Sequence, residues 1–443
     1  MNIQTSLDIE MVALERSEKI TVMLDLTAPM NSVDRARPGQ AVQVVLDRSG
    51  SMDGAPLDAA IAAIQALVSR LSPQDFFGLV AFDDTAMVIA PTRSMAEHDM
   101  PALRNAISNI AAGNSTDISA GYLMGIRELG RITCGGGSTL LLLSDGHANA
   151  GEVDPKFFSD VASKSAQGKV ATATIGLGTG YDETLLEAMA QGGGGTHRFA
   201  ASTDEAVAAI SLEVNNLLDK CVVNTVLRIT PDLSVAPTPP QVFVAQRLPH
   251  WKDGDSYLIQ LGDLYGGENR KIIIDMVIPE IAKLGLCTIA TLTFEYLNIS
   301  AMQEISVSMP LSVNVVPGDQ AAGRIPDPIV RAQRLVLSAQ ESKAEAAKEL
   351  RSGDISGASA RLTQSITSLE SELLLLQGED TRIVNSREII NIEVAEMKKL
   401  ADIAKNEDQY HSSKRFMESF SKGSRSRNFR EDQFSDDPDK DNS

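Results

Sequence analysis

Between residues 40 and 218, short apolar runs alternate with amphipathic helical runs, and this alternation constrains the fold more than any other feature. The run STLLLLSD at 138–145 is almost wholly apolar, as expected for a strand that is buried on both faces of a sheet. A helical pattern begins at Pro56, with apolar residues recurring on one face. Strands and helices that alternate in this way form a mostly parallel sheet covered on both faces. The sequence therefore predicts a doubly wound α/β domain over 38–219.

The other elements of this domain follow from the same periodicities. Further strands are predicted at 41–47, 76–83, 86–92, 170–178 and 196–202. Further helices are predicted near 99–111, 118–130, 155–166, 182–191 and 204–219.

The segments on either side of this domain have the alternating pattern of half-buried strands. Residues 220–317 predict an antiparallel β-sandwich, most clearly in the run ISVSMPLSVNVV. Residues 6–26 predict two strands, within an N-terminal segment of 1–36. These strands have no place in the α/β domain and unpaired strand edges are costly, so we expect them to join the sandwich.

The C-terminal part is predicted to be helical and then disordered. Residues 325–408 are rich in Ala, Leu, Glu and Lys, and predict a bundle of three helices. Ser352-Gly353-Asp354 is expected to end the first helix and cap the second. The tail, 409–443, is polar with a basic and then an acidic half, and is predicted to be disordered.

Composition excludes several classes of function. The formal net charge is −19, which argues against nucleic acid and against an anionic membrane surface as a partner. The three cysteines, Cys134, Cys221 and Cys287, are widely spaced and form neither a disulfide framework nor a zinc motif. The N-terminus lacks the pattern of a secretory signal, and no apolar stretch approaches transmembrane length. These features predict a cytoplasmic protein.

Five oxygen-bearing side chains stand where strands of the predicted sheet end. Asp47, Ser49 and Ser51 follow the first buried strand, Asp145 ends another, and Thr116 lies in a loop before a helix. Open α/β sheets bind ligands at the carboxyl ends of their strands, so we expect these loops to converge. Three hydroxyls and two carboxylates suit a hard cation, and Mg²⁺ fits best, with Mn²⁺ or Ca²⁺ as alternatives.

The same residues, in the order DRSGSM, the Thr116 loop and LLLLSDG, resemble the metal-ion-dependent adhesion site of von Willebrand factor A domains. The resemblance covers about 40–218. It implies that the bound metal grips an Asp or Glu of a partner protein through an open coordination position. One departure is Asn114-Ser115, where many members of the family have two glycines.

Neighbouring side chains have competing interpretations. Arg48 either steers an acidic ligand or faces outward in a structural role, and Asp53 is a turn residue rather than a sixth ligand. Asp117 is expected to cap the following helix. His147 and Asn149 lie in the loop after Asp145 and are expected to shape the groove around the ligand without binding the metal.

The order of the domains is similar to that of stand-alone bacterial von Willebrand A proteins and of certain plant RING-type ubiquitin ligases. Three cysteines are too few for a RING domain, so ligase activity is not implied. The sequence favours a non-catalytic adaptor with a protein partner. Two alternatives remain open: a non-catalytic subunit of a MoxR-type ATPase or of a kinase–phosphatase stress assembly, and a metal-assisted hydrolase. The absence of a recognisable general-base motif argues against the hydrolase.

Overall fold

The structure is a computed structural model, and it describes residues 1–30, 38–178, 180–236, 238–299, 301, 303–406, 409–423 and 427–428. The first described segment forms three strands, where the sequence analysis predicts two. They are β1 (Asn2–Leu7), β2 (Met11–Ala13) and β3 (Glu18–Thr27). Strand β3 is the longest of the three and is buried along most of its length, which explains why it carries the clearest sequence pattern.

The α/β domain follows in the predicted order. Its strands are β4 (Ala41–Asp47), β5 (Phe76–Phe82), β6 (Ala86–Ser94), β7 (Ser138–Ser144), β8 (Val170–Leu177) and β9 (Gly194–Ala200). Its helices are α1 (Ala55–Arg70), α2 (Met100–Ser108), α3 (Ile118–Leu129), α4 (Pro155–Gln167), α5 (Glu183–Gly192) and α6 (Thr203–Leu218). Helix α1 has proline in its first turn, and aspartate side chains cap the amino ends of α2, α3, α4 and α5.

The six strands form one sheet in the order β6-β5-β4-β7-β8-β9, and only the β5–β6 pair is antiparallel. Alternate residues of each strand enter separate cores. Leu141 and Leu143 of β7 pack with α1, whereas Leu140 and Leu142 pack with α3 and α5. Burial on both faces explains the uninterrupted apolar run in β7, and it confirms the predicted fold class.

The chain continues into seven strands, β10 (Lys220–Pro231), β11 (Gln241–Val244), β12 (His250–Asp253), β13 (Ser256–Tyr265), β14 (Asn269–Ile278), β15 (Gly285–Asn298) and β16 (Gln303–Val316). Two sheets share one core, to which β3 contributes Leu24, β10 Leu227 and β15 Phe294. One sheet has the order β1-β3-β14-β11, and the other has the order β12-β13-β10-β15-β16-β2. The N-terminal strands thus lie in this unit, where β2 makes a parallel pair with β16.

The helical part contains α7 (Gly318–Ala321), α8 (Pro328–Arg351), α9 (Ile355–Leu375), α10 (Thr381–Asn406) and α11 (Gln409–Gly423). Gly353 has a φ of +85° and the Asp354 side chain accepts the backbone N–H of Gly357, so the predicted stop and cap are confirmed. A three-helix bundle was the wrong prediction, because α11 packs against α8 as a fourth long helix.

Disorder beginning at residue 409 was also the wrong prediction, since 409–423 is helical. Two further tail residues form a short strand, β17 (Arg427–Asn428), that pairs with β14. Phe416 and Phe420 are fully buried on α11, and this apolar spacing outweighs the polar composition of the segment. The rest of the predicted disordered tail lies outside the described residues. None of the described helices is both long and apolar enough to cross a membrane.

Candidate metal centre

Two neighbouring parallel strands bring the first and last of the predicted loops together. Leu46 of β4 pairs with Leu143 of β7, so Asp47 and Asp145 leave the sheet side by side at its carboxyl edge. Beyond Asp47 the chain makes a tight turn over Gly50–Met52, which aims Ser49 and Ser51 at the same edge. This edge is where an open α/β sheet holds its ligands.

The hydroxyl groups of the three predicted residues meet beside Asp145. Ser51 Oγ donates a 2.8 Å hydrogen bond to Asp145 Oδ1 and lies 3.1 Å from Ser49 Oγ. A Cβ atom built at ideal geometry on Gly146 would lie 3.3 Å from Thr116 Oγ1 and 3.4 Å from Ser51 Oγ. It would lie 3.7 Å from Ser49 Oγ. The structure therefore gathers all three hydroxyls and Asp145 around one glycine.

Asp47 lies below this cluster and is completely buried. Its Oδ1 accepts the backbone N–H of Ser49 at 2.8 Å, and its Oδ2 accepts the hydroxyl of Ser144 at 2.6 Å. Both carboxylate oxygens are thus engaged within the protein. Asp47 fixes the loop that carries the serines, and sequence analysis missed the supporting role of Ser144, which stands directly before Asp145.

Burial makes the ionised form of both aspartates costly. Desolvation raises the pKa of Asp145 to about 6, against a usual value of 3.8, although the Ser51 hydrogen bond acts in the opposite direction. The nearby charge of Asp47 raises it further. Burial also raises the pKa of Asp47, an effect that the hydrogen bonds from Ser144 and Ser49 only partly offset. A cation between these groups would favour their ionised forms.

The loop that carries Thr116 is held by backbone contacts on both sides. Gly50 N–H donates to the carbonyl of Asn114 at 2.8 Å, and Thr116 N–H donates to Asn149 Oδ1 at 2.8 Å. Asn149 N–H in turn donates to the Thr116 carbonyl at 3.1 Å. The loop thus reaches the cluster with Asn114-Ser115 in place of two glycines. Asn149 supports the loop, a contact that its sequence position alone does not reveal.

Arg48 is tied to an aspartate that sequence analysis did not consider. Its guanidinium forms a 2.7 Å ion pair with Asp83 Oδ2, and the Asp83 carboxylate is almost fully buried. Burial acts to raise the pKa of Asp83, but hydrogen bonds from Thr85 and the charge of Arg48 lower it overall. This pairing favours the structural interpretation of Arg48. Asp83 directly follows β5 at the same sheet edge, and this position at a strand end was the sequence signal that could have identified it.

The remaining neighbours are placed as follows. Asp117 caps α3 by accepting the backbone N–H of Ala120 at 2.9 Å, so that prediction is confirmed. Asp53 is exposed at the end of the tight turn, where its backbone N–H donates to the carbonyl of Gly50 at 3.4 Å. His147 is exposed in the loop after Asp145.

The donor set fits a hard cation. In the described part of the chain, no group of three or more His, Cys, Asp or Glu side chains is arranged to hold a metal. The cluster has a different composition: three hydroxyl groups supply most of its donors, and the carboxylates of Asp47 and Asp145 stand beside them. Mg²⁺ accepts such oxygen donors, keeps several waters, and commonly takes only one or two protein carboxylates.

A doubly wound α/β domain with a hydroxyl–carboxylate cluster at its carboxyl edge defines a class of ligand-binding domain. Comparison with protein families identifies the class: residues 42–213 match the model of the von Willebrand factor type A domain. These residues form such a domain, which confirms the family predicted from the sequence. Domains of this family commonly mediate protein–protein interactions.

Solved structures extend the similarity beyond this domain. A von Willebrand factor type A protein from Catenulispora acidiphila shares the fold with a TM-score of 0.70 at 16% identity, covering 96% of this chain and 97% of that one. The ArnB paralog VWA2 from Sulfolobus acidocaldarius gives a TM-score of 0.61 at 13% identity, covering 95% and 98%. The arrangement of α/β domain, sandwich and helices is therefore a shared fold.

Among curated proteins, an uncharacterized protein of Synechocystis is 26% identical over 329 residues, covering 72% of this chain and 76% of its own. Inter-alpha-trypsin inhibitor heavy chain H4 of Homo sapiens is 28% identical over 164 residues. That match covers 35% of this chain and 18% of the human protein, so it concerns only a part of either molecule.

Proposed function

We propose that this protein is a non-catalytic adaptor whose A domain binds Mg²⁺ through Asp47, Ser49, Ser51, Thr116 and Asp145, and through the metal an acidic residue of a partner protein. The observation that carries the proposal is the convergence of three hydroxyls and Asp145 beside Gly146. The proposal covers Mn²⁺ and Ca²⁺ as alternative ions, because the same oxygen donors accept them.

Charge is the reason for an acidic ligand. Both oxygens of Asp47 already accept hydrogen bonds within the protein, so this carboxylate would only partly neutralise a divalent cation. Hydroxyl ligands are neutral, so they leave the metal with residual positive charge that favours an incoming carboxylate. Ser51 is exposed to solvent, which gives such a carboxylate a path to the cluster.

An adaptor fits the site better than a hydrolase. Hydrolysis at a metal needs a general base within hydrogen-bond reach of the attacking water. His147 is the only one of the five histidines in the loop after Asp145, and it is exposed there, with no hydrogen bond to the cluster in the described part of the chain. His197, by contrast, is buried with Tyr181 and Thr174, where desolvation lowers its pKa to about 3.

The test combines a metal titration with affinity capture. Calorimetry measures Mg²⁺ binding to the wild type and to the Asp47→Ala, Asp145→Ala double variant, and a pull-down in Mg²⁺ or EDTA measures retention of partner. We expect the double variant to stay folded, because burial already disfavours both ionised carboxylates. We expect it to lose both Mg²⁺ and partner, as the wild type loses partner in EDTA.

A matched control separates the site from the general charge of the sheet edge. The Asp53→Ala, Asp84→Ala double variant removes the same charge from exposed positions at this edge. It should bind Mg²⁺ and partner like the wild type. Partner retention that is indifferent to EDTA and to loss of Asp47 and Asp145 would contradict the proposal, and metal-dependent turnover of a hydrolase substrate would favour the alternative.

A further inference from the structure

A lysine of the C-terminal helix is buried against the A domain. Lys414 of α11 is 2% exposed, and its Nζ donates to the carbonyl of Tyr181 at 2.7 Å and to Glu183 Oε2 at 2.8 Å. The same Nζ lies 4.0 Å from the centre of the Tyr181 ring. A buried ammonium group is costly unless it is paired and hydrogen-bonded, so these contacts fix the position of α11 specifically.

Other contacts hold α11 and the neighbouring α8 to the same region. Arg415 donates to both carboxylate oxygens of Glu205 at 2.8 and 2.9 Å. Arg351 at the end of α8 forms an ion pair with Glu183. Burial acts to raise the pKa of Glu183, but Lys414 and Arg351 lower it overall, so this carboxylate is stabilised in its ionised form.

The loop that receives Lys414 also contacts the candidate metal centre. This loop joins β8 to α5 and contains Gly180 and Tyr181. A Cβ atom at ideal geometry on Gly180 would lie 3.1 Å from the carbonyl oxygen of Asp145, so the two backbones are in contact. On the other side, the Tyr181 ring packs over Gly176, whose strand position is paired with Ser144. One side of the loop thus faces Asp145 and the other is held by Lys414.

We propose that Lys414 is a positioning residue for the metal centre, and that docking of α11 and binding of Mg²⁺ are coupled through the β8–α5 loop. The docked helix holds Gly180 against Asp145 and thereby maintains the backbone geometry of the cluster. Coupling of two binding equilibria is reciprocal, so Mg²⁺ must also strengthen the docking of α11. This inference rests on the proposed metal site but not on the identity of any partner.

The first experiment compares two buried lysines. Lys414→Met removes the contact with the loop, whereas the control Lys220→Met breaks a buried ion pair with Asp263 at the opposite edge of the sheet, next to Thr139. Calorimetric titration should show Mg²⁺ binding about tenfold weaker in Lys414→Met, within the usual range of coupling between sites. Lys220→Met should lose stability but keep the wild-type affinity for Mg²⁺.

The second experiment needs no variant that disturbs α11. Hydrogen–deuterium exchange of peptides from 409–423 is measured in the wild type with EDTA and with saturating Mg²⁺. We expect Mg²⁺ to slow exchange in α11 by about the same factor as the affinity change, because the coupling is reciprocal. The Asp145→Ala variant should show no such slowing.

The outcomes distinguish this inference from the proposed function. The coupling is refuted if Lys414→Met binds Mg²⁺ as well as the wild type does and if Mg²⁺ leaves the exchange rate of α11 unchanged. The adaptor proposal stands in that case. If the wild type binds no Mg²⁺, both are refuted. An equal loss of Mg²⁺ affinity in Lys220→Met would show that general destabilisation, and not the loop contact, is responsible.

Discussion

The raised pKa of Asp145 predicts that protons and Mg²⁺ compete for the same carboxylate. With a pKa of about 6, this group is mostly ionised at pH 7 and mostly protonated at pH 5. If Mg²⁺ binds only the ionised form, its apparent affinity falls about tenfold between pH 7 and pH 5. Because the usual pKa is 3.8, the same change of pH would have almost no effect on a site with an ordinary aspartate.

Mg²⁺ should change how stability depends on pH. In the metal-free protein the pKa of Asp145 is higher than in the unfolded chain, so this group lowers stability as the pH rises from about 4 through 6. In saturating Mg²⁺ the cation holds Asp145 ionised, so between about pH 4 and 6 this group binds no proton in either state, and its contribution decreases only as the pH drops below about 4. Thermal unfolding between about pH 4 and 6 should therefore show a contribution from Asp145 that decreases with rising pH without Mg²⁺ and is nearly constant with it.

The assay is calorimetry at pH 5, 6 and 7 in pairs of buffers that differ in ionisation enthalpy, which counts the protons released as Mg²⁺ binds. We expect close to one proton released at pH 5 and close to none at pH 7. Asp145→Asn should bind more weakly and lose most of the pH dependence. Equal affinity at pH 5 and pH 7, with no proton release, would refute the argument from burial.

Three further predictions follow from individual contacts. Gly146→Ala should stay folded but bind Mg²⁺ more weakly in the same titration, because the new methyl group would lie 3.3 to 3.7 Å from three hydroxyl oxygens; unchanged affinity would show that the cluster has room for it. Lys220→Met should lower the free energy of unfolding by about 3–5 kcal/mol in urea denaturation, because it breaks the buried ion pair between Lys220 and Asp263. Asp327→Ala should cost about 1 kcal/mol, because Asp327 caps α8 by accepting the N–H groups of Ile329 and Val330, and a loss below about 0.3 kcal/mol would mean that solvent replaces the cap.

The periodicity of apolar residues predicted the α/β fold, because a buried strand can be recognised from the apolar character of its own consecutive residues. The runs in β4 and β7 are apolar since both faces of the sheet are covered. An aspartate that caps a helix likewise stands directly before that helix in the sequence, as Asp117 does before α3. The same periodicity did not predict strands that are short or only lightly buried. Strand β2 has three residues and, within the described chain, pairs with the end of β16, so its position depends on a partner about 300 residues away.

Helix α11 illustrates a second limit. Its sequence is polar and close to a charged tail, so composition favours disorder. Its order depends on burial of Phe416, Phe420 and Lys414 against surfaces supplied by α8 and the A domain. The composition of a segment does not indicate its contacts with residues so distant in the chain. The prediction of disorder from residue 409 was wrong for this reason.

The sequence by itself determined the fold class and named the five side chains of the candidate site, because strand ends and helix starts are local signals. Only the tertiary structure decided which contacts these side chains make. In it, both oxygens of Asp47 accept hydrogen bonds, burial raises the pKa of Asp145, and Arg48 forms an ion pair with Asp83. It also placed Lys414 behind the loop that touches Asp145. Burial and proximity between distant segments arise only when the chain is packed, so no local pattern encodes them.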